Sequence, residues 1–428
     1  MKLELHKVKV NKLAWGERTA VKDGVLTVNK QELLSLLSGD ERLARVDVDF
    51  AVPGESVRIL PVKDVIEPRF KMEGPGGVFP GMVSDVDTVG EGKTLVLSGA
   101  AVVTTGKIVR FQEGIIDMKG PGAEYTPYSG TCNVVVILEN VEGIEKHDYE
   151  TACRMAGLKT AAYLAGKCVG TRADVVETYE TLPLKDAMHA HPGLPKVAYL
   201  YMLQSQGLLH DTYVYGVDAK KTLPTLINPT EVMDGAIVSG NCVSACDKNN
   251  TYSHQNNPII HNMFKRHGKD FNFLGCIITN ENVTLADKKR SSSYSINLAK
   301  TLGVEGLLIS EEGFGNPDAD LVMNCWKAER AGIKTTLLTD EYAGQDGASQ
   351  SLADSCPEGD ACVTAGNANE VVVLPPMDRV IGVPEEANVI AGGWQGSLAA
   401  DGTITVELQA IIGATSELGF TRLGAYTI

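Results

Sequence analysis

The run GLLISEEGFGNPDADLVMNCWKAERAGIKTTLL, residues 306–338, decides the fold. It opens on a short apolar strand, Gly306 to Ile309, and closes on another, Thr335 to Leu338. Between them Asn316 and Pro317 supply an N-cap and a first-turn proline for a helix running to Ala331, with Gly332 behind it. Upstream, Ser291 to Leu302 has helical spacing, with Tyr294, Leu298 and Leu302 on one face and Gly303 ending it. Downstream, Val371 to Leu374 reads as a further strand, stopped by Pro375 and Pro376. Strand and helix in strict alternation predict a C-terminal doubly wound, mainly parallel α/β domain.

The chain before it reads differently. To about residue 140 it is β-rich, with short runs such as Val46 to Phe50, Ser56 to Val62 and Leu95 to Thr104. The glycine-rich turns at 74–77 and 120–122 lack the lysine and the strand-to-helix context of a phosphate loop. Asp148 to Cys168 is predicted helical, with Asp148 as N-cap, and strands follow at Lys196 to Met202 and Thr212 to Tyr215. A strand at Gly235 to Val238 then delivers the chain to Gly240, Asn241 and Cys242.

Composition bounds the function. A chain of 428 residues with 43% hydrophobic and 22% charged residues is globular and holds two or three domains. The formal charge of −15 argues against nucleic acid or an anionic membrane as partner. No apolar run has the length of a bilayer span, and Met1 to Leu5 alternates like a strand and lacks the apolar stretch of a signal peptide. Nine scattered cysteines without a framework fit a reducing cytoplasm.

Gly240-Asn241-Cys242 carries the chemistry. The Cys242 thiol is placed to attack the Asn241 carbonyl and exchange the peptide bond for a thioester. β-Elimination then leaves a dehydroalanine, whose enamine hydrolyses to an N-terminal pyruvoyl group. Such a step needs a deprotonated thiol, donors for the oxyanion, and a peptide held in an uncommon conformation for which Gly240 is suited. The following stretch to His261 is dense in hydrogen-bonding groups, among them Cys246, Thr251, His254 and His261. Either histidine is a candidate base.

The same residues allow a rival reading. Cys242, Cys246, His254 and His261 offer two thiolates and two imidazoles for tetrahedral zinc, although no small finger module surrounds them. Elsewhere, Ser310-Glu311-Glu312 and Asp340-Glu341 end two predicted strands, where ligands bind in open α/β sheets. Solvated strand ends are the plainer expectation there. Lys288-Lys289-Arg290 opens a predicted helix, an end that favours anions, which raises a carboxylate- or phosphate-binding role for Arg290.

The run GAIVSGNCVSACD, residues 235–247, closely resembles the proprotein subunit of glycine reductase component B. Matching segments are GLLHDTYVYG at 207–216, NPIIH at 257–261, NENV at 280–283 and EGFGNP at 312–317, and the likeness spans essentially the whole chain. The resemblance implies cleavage between Asn241 and Cys242, giving an N-terminal subunit of residues 1–241 and a pyruvoyl-bearing subunit of residues 242–428 that stay associated. It further implies a selenocysteine-containing partner subunit in component B, with components A and C downstream. The substrate amine would condense with the pyruvoyl carbonyl as a Schiff base, and the partner selenolate would displace the nitrogen. Component A would then receive a carboxymethyl group and component C release acetyl phosphate, all in an anaerobic cytoplasm. Glycine is the favoured substrate and sarcosine the second. Betaine, with a quaternary nitrogen, cannot form an imine. A non-catalytic scaffold for the selenoprotein is the remaining alternative.

Overall fold

The computed structural model describes residues 1–207, 209, 212–240 and 244–420. It is a mixed α/β protein whose first 140 residues are β-rich. Strands Lys2–Lys9, Arg69–Glu73, Gly92–Ser98 and Val175–Glu180 form one four-stranded sheet. Leu43–Ala51, Asp64–Ile66, Ala100–Gly106 and Cys132–Asn140 form another. The alternating run expected at Leu95 to Thr104 is thus two strands in two sheets, broken at Gly99, whose φ of 88° suits glycine.

The long helix Lys146–Lys167 packs on the strands Asp64–Ile66 and Ala100–Gly106. Its N-cap is Glu145; Asp148 lies inside the first turn, where its charge suits the helix dipole.

A six-stranded sheet carries the second half. Its order is Thr225–Ile227, Asn272–Asn280, Lys196–Leu203, Gly306–Ser310, Lys334–Glu341 and Cys362–Asn367. All neighbours pair parallel except the first strand, which is antiparallel. Ala198, Leu200 and Met202 face a core with Ile296, Ala299, Leu321 and Cys325 from helices Leu285–Thr301 and Asp318–Arg330. Tyr199 and Tyr201, alternating with them, enter a second core with Ile259, Ile260 and Met263 of helix Pro258–Arg266. Near-continuous burial along Lys196–Leu203 is what a strand covered on both faces requires.

Three local expectations change. Val371–Leu374 is not in this sheet; it pairs antiparallel with Ile404–Glu407, and its alternating exposure marks a half-buried strand. The edge place belongs to Cys362–Asn367, too polar to read as a strand. The helix expected at Ser291 begins at Leu285, capped by Thr284, so Lys288 to Arg290 lie within it. Lys288 is buried on Asp320 and Arg290 pairs with Asp287, so both of these cations are already engaged within the protein. Asn316 does not cap its helix; Asp318 accepts the Gly315 N–H at 2.7 Å instead.

The parallel sheet draws strands from both sides of residue 241. Lys196–Leu203 lies between Asn272–Asn280 and Gly306–Ser310, and Val57–Val62 pairs with Arg379–Gly382. No helix among the described residues is long and apolar enough to cross a membrane.

Candidate active site at the Gly240 junction

Strand Ile237–Ser239 pairs antiparallel with Thr212–Val214 and leads into the buried Gly240. Asn241 and Cys242, the expected cleavage pair, lie outside the described residues, so the site is built from what flanks them. Before the junction, the Ser239 N–H donates to Thr251 Oγ1 at 3.0 Å. The Thr251 hydroxyl donates to Asp64 Oδ2 at 2.7 Å, and its N–H to Asp64 Oδ1 at 3.0 Å. Burial pushes the Asp64 carboxyl up to about 6, against the opposing charge of Lys248. Gly240, Ser239 and Asp64 also line a cavity of about 10 Å³, the volume of a single water, closed by Glu150, Cys153 and Arg154.

After the junction, the segment to Gln255 is almost wholly buried. The Ala245 and Cys246 carbonyls accept the N–H groups of Gly413 and Thr415 at 2.8 and 3.0 Å. Asn250 caps helix Thr251–Gln255, accepting from Ser253 N–H, and takes a further hydrogen bond from Tyr128 Oη at 2.8 Å. His254 Nδ1 sits 2.7 Å from Tyr201 Oη, while its Nε2 has no hydrogen bond among the described residues. Burial lowers the His254 pKa to about 3, so the ring is neutral at pH 7.

The other expected residues go elsewhere. His261 Nδ1 meets Tyr179 Oη at 2.9 Å, which in turn donates to Glu177. Burial lowers the His261 pKa to about 4. Cys246 lies beside Asp247 and Asp340. Among the described residues Cys246, His254 and His261 form no ligand group, which removes the expected two-cysteine, two-histidine zinc set.

The carboxyl ends of the parallel strands carry a layer of acids. Glu281, Glu311, Glu312 and Asp340 are each no more than 1% exposed, together with Asp247 and Glu417, so these strand ends are not solvated. Glu312 accepts the Asn249 N–H at 3.0 Å and the Gln204 N–H at 3.3 Å, tying the segment after the junction to a strand before it. Glu417 accepts from Asn249 Nδ2 at 2.7 Å. Burial pushes Glu312 up to about 8 and Asp247 to about 7, with the Asp318 charge adding to the Asp247 shift.

The Glu312 shift predicts a pH dependence. Its folded pKa lies above the unfolded value of 4.5, so the native state holds a proton that the unfolded chain has lost. Stability therefore falls as pH rises from 4.5 towards 8, by about 1.4 kcal/mol per pH unit from this group. Denaturant titrations of chelator-treated protein between pH 5 and 8 should find that Glu312→Gln removes this slope. An unchanged slope would count against the assignment.

Asp64, Glu312 and Tyr128 were not signalled by the junction sequence, since Asp64 precedes Thr251 by 187 residues. The available signal was local: Lys63 and Asp64 interrupt the mainly apolar run from Ile59 to Ile66.

Comparison with known proteins follows the same outline. The family model for glycine/sarcosine/betaine reductase component B subunits matches residues 1–426. The chain is 63% identical to the glycine reductase complex component B subunits alpha and beta of Acetoanaerobium sticklandii, over 100% of both chains. It is 59% identical to the protein of the same description from Peptoclostridium acidaminophilum, over 99% of each. With the sarcosine reductase complex component B subunit alpha of Peptoclostridium acidaminophilum identity is 54%, again over 99% of each. No solved structure matches the chain. Matched from end to end, the chain belongs to the glycine/sarcosine/betaine reductase component B family.

Proposed function

We propose that this chain is the substrate-activating subunit of glycine reductase component B, self-cleaved between Asn241 and Cys242, with residue 242 becoming a pyruvoyl group. The observation that carries the reading is the end-to-end likeness to glycine reductase component B, greater than that to the sarcosine form. Once formed, the group supplies a ketone that takes up a substrate amine and draws electrons from its carbon–nitrogen bond.

The flanking residues suit that group. The segment that follows the junction is buried, and Asn249 Oδ1, Asn250 Nδ2 and His254 Nε2 are polar atoms there without hydrogen bonds among the described residues. Thr251, held by Asp64, fixes the Ser239 N–H and so the approach of the scissile peptide. His254 Nδ1 meets the Tyr201 hydroxyl at 2.7 Å, which orients the neutral ring beside the segment that follows the junction. Component B in the names of the relatives implies a complex; a selenocysteine-containing subunit and components A and C are the partners we assign.

The two cleavage products would remain one particle. Separating them would strip Lys196–Leu203 from both of its neighbours and Val57–Val62 from Arg379–Gly382. Both fragments should therefore co-elute in size exclusion under native conditions and part only in denaturant. Elution as two independent species would contradict the shared sheet.

Borohydride trapping with labelled glycine, with sarcosine as competitor, tests the reading. An adduct on the fragment beginning at residue 242 is expected, displaced weakly by sarcosine. An intact, unlabelled chain from its native host would refute it, and preferential labelling by sarcosine would reassign the substrate.

A further inference from the structure

The acid layer at the strand ends holds a donor set that the cleavage and amine chemistry do not use. Cys246 Sγ lies 3.7 Å from Asp247 Oδ1 and 3.9 Å from Asp340 Oδ2. One donor atom from each of the three residues falls within 4.8 Å of the others. All three side chains are buried, at 0%, 1% and 1% exposure. Asp247 Oδ2 and Asp340 Oδ1 have no hydrogen-bond partner among the described residues, and neither do the neighbouring Glu311 Oε1 and Glu417 Oε2. Lys248, a cation beside this layer, donates to the Lys63 carbonyl and acts on Asp64 and Glu312. Ionising carboxyl groups buried this close together is costly, and a cation held among them offsets that cost.

The donor types narrow the cation. One sulfur and two carboxylates suit a borderline metal ion better than calcium or magnesium, which take oxygen alone. Around tetrahedral zinc, with Zn–S of about 2.3 Å and Zn–O of about 2.1 Å, sulfur and oxygen stand about 3.6 Å apart. The observed separations need only a few tenths of an ångström of contraction.

The donors are also held from outside. Cys246 is pinned through its carbonyl by Thr415 N–H, and the Thr415 hydroxyl donates to Asp340 Oδ2 at 3.1 Å. Asp340 itself ends the strand Lys334–Glu341. Such supporting contacts orient metal ligands and fix their spacing.

We propose that Cys246, Asp247 and Asp340 bind a divalent transition-metal ion of zinc(II) type, clamping the segment just after the cleavage junction onto the carboxyl edge of the sheet. The Cys246 thiol proton is released to solvent as the metal binds. The set differs from a two-cysteine, two-histidine site in using neither histidine nor Cys242, and it stands independently of the pyruvoyl reading.

The test uses the full, naturally processed chain, stripped with chelator, then loaded with zinc(II) or cobalt(II) and desalted. Elemental analysis should find about one tightly held zinc per chain. Cobalt should give a thiolate-to-metal charge-transfer band. Cys246→Ser and Asp340→Asn should each weaken binding by about tenfold or more, whereas Cys362→Ser, which alters an exposed thiol, should leave it unchanged. Wild-type protein that retains no zinc and gives no cobalt band would overturn the proposal without reliance on any variant. So would zinc retained equally by both ligand variants, or stabilisation by calcium, magnesium or ammonium but not by zinc.

Discussion

Replacing Cys242 with alanine will leave a single chain of 45.7 kDa where the proposed cleavage would give two fragments. It will carry no carbonyl that reacts with hydrazides, and glycine-dependent activity in the reconstituted complex will fall to background. The expectation rests on what surrounds the position. A substitute nucleophile would have to come from a nearby thiol, and the described neighbours are poor ones. Cys246 lies between two carboxylates, and burial with the Asp247 and Asp340 charges pushes its thiol far up. Cys153, beside the small cavity at Gly240, is buried and raised to about 12. Without a bound metal neither forms a thiolate readily, and the free thiolate is the attacking species. Cys242→Ser separates nucleophile from cofactor. Its hydroxyl can still attack and eliminate, but it ionises far less readily than a thiol, so cleavage should slow yet end in the same group. Intact mass, hydrazide labelling and activity read the three consequences separately. Wild-type activity in the alanine variant would sink the cofactor reading, and assembly without activity would exclude a scaffold role.

Local periodicity explains which parts of this molecule are legible in its sequence. The alternation from Leu285 to Glu341 is written in runs of a few residues: apolar Gly306–Ser310, a helix stopped at Gly332, then Lys334–Glu341. Strand pairing is not so written. Val371–Leu374 has the composition of a sheet strand, yet only Val372 and Leu374 are buried, and it joins Ile404–Glu407. Cys362–Asn367 completes the parallel edge with scarcely a buried residue. At the site, Thr251 stands out because polar residues cluster after Cys242, whereas its partner Asp64 comes from another sheet altogether. Glu311, Glu312 and Asp340 read as surface acids because isolated carboxylates favour water. Their burial follows from the segment 244–250 and from Thr415 and Glu417 folding over the strand ends, a long-range event without a local signature.

The junction's alignment through Thr251 is the second large effect. Thr251→Val removes the acceptor of the Ser239 N–H and the donor to Asp64 Oδ2, leaving two buried polar groups unpaired. Each such loss costs about 1–3 kcal/mol, and stability should drop by about 2–6 kcal/mol. Cleavage should slow as well, because the Ser239 amide sits two residues before Asn241 and sets where the scissile carbonyl lies. If one hydrogen bond's worth of alignment is lost in the transition state, the rate falls by about tenfold to a hundredfold. Thr251→Ser keeps the hydroxyl and should cleave within about threefold of wild type. Asp64→Asn keeps one acceptor oxygen but turns an amide donor towards the Thr251 hydroxyl, so it should slow cleavage by a similar factor. The two residues act as one unit, and the double variant Asp64→Asn/Thr251→Val should be little slower than the worse single one. Fragment appearance after a pulse of cell-free translation measures all four rates directly, with urea melts reporting stability in parallel. A Thr251→Val chain that is destabilised yet cleaves at the wild-type rate would leave the Asp64–Thr251 pair a support of the fold and no part of the cleavage apparatus.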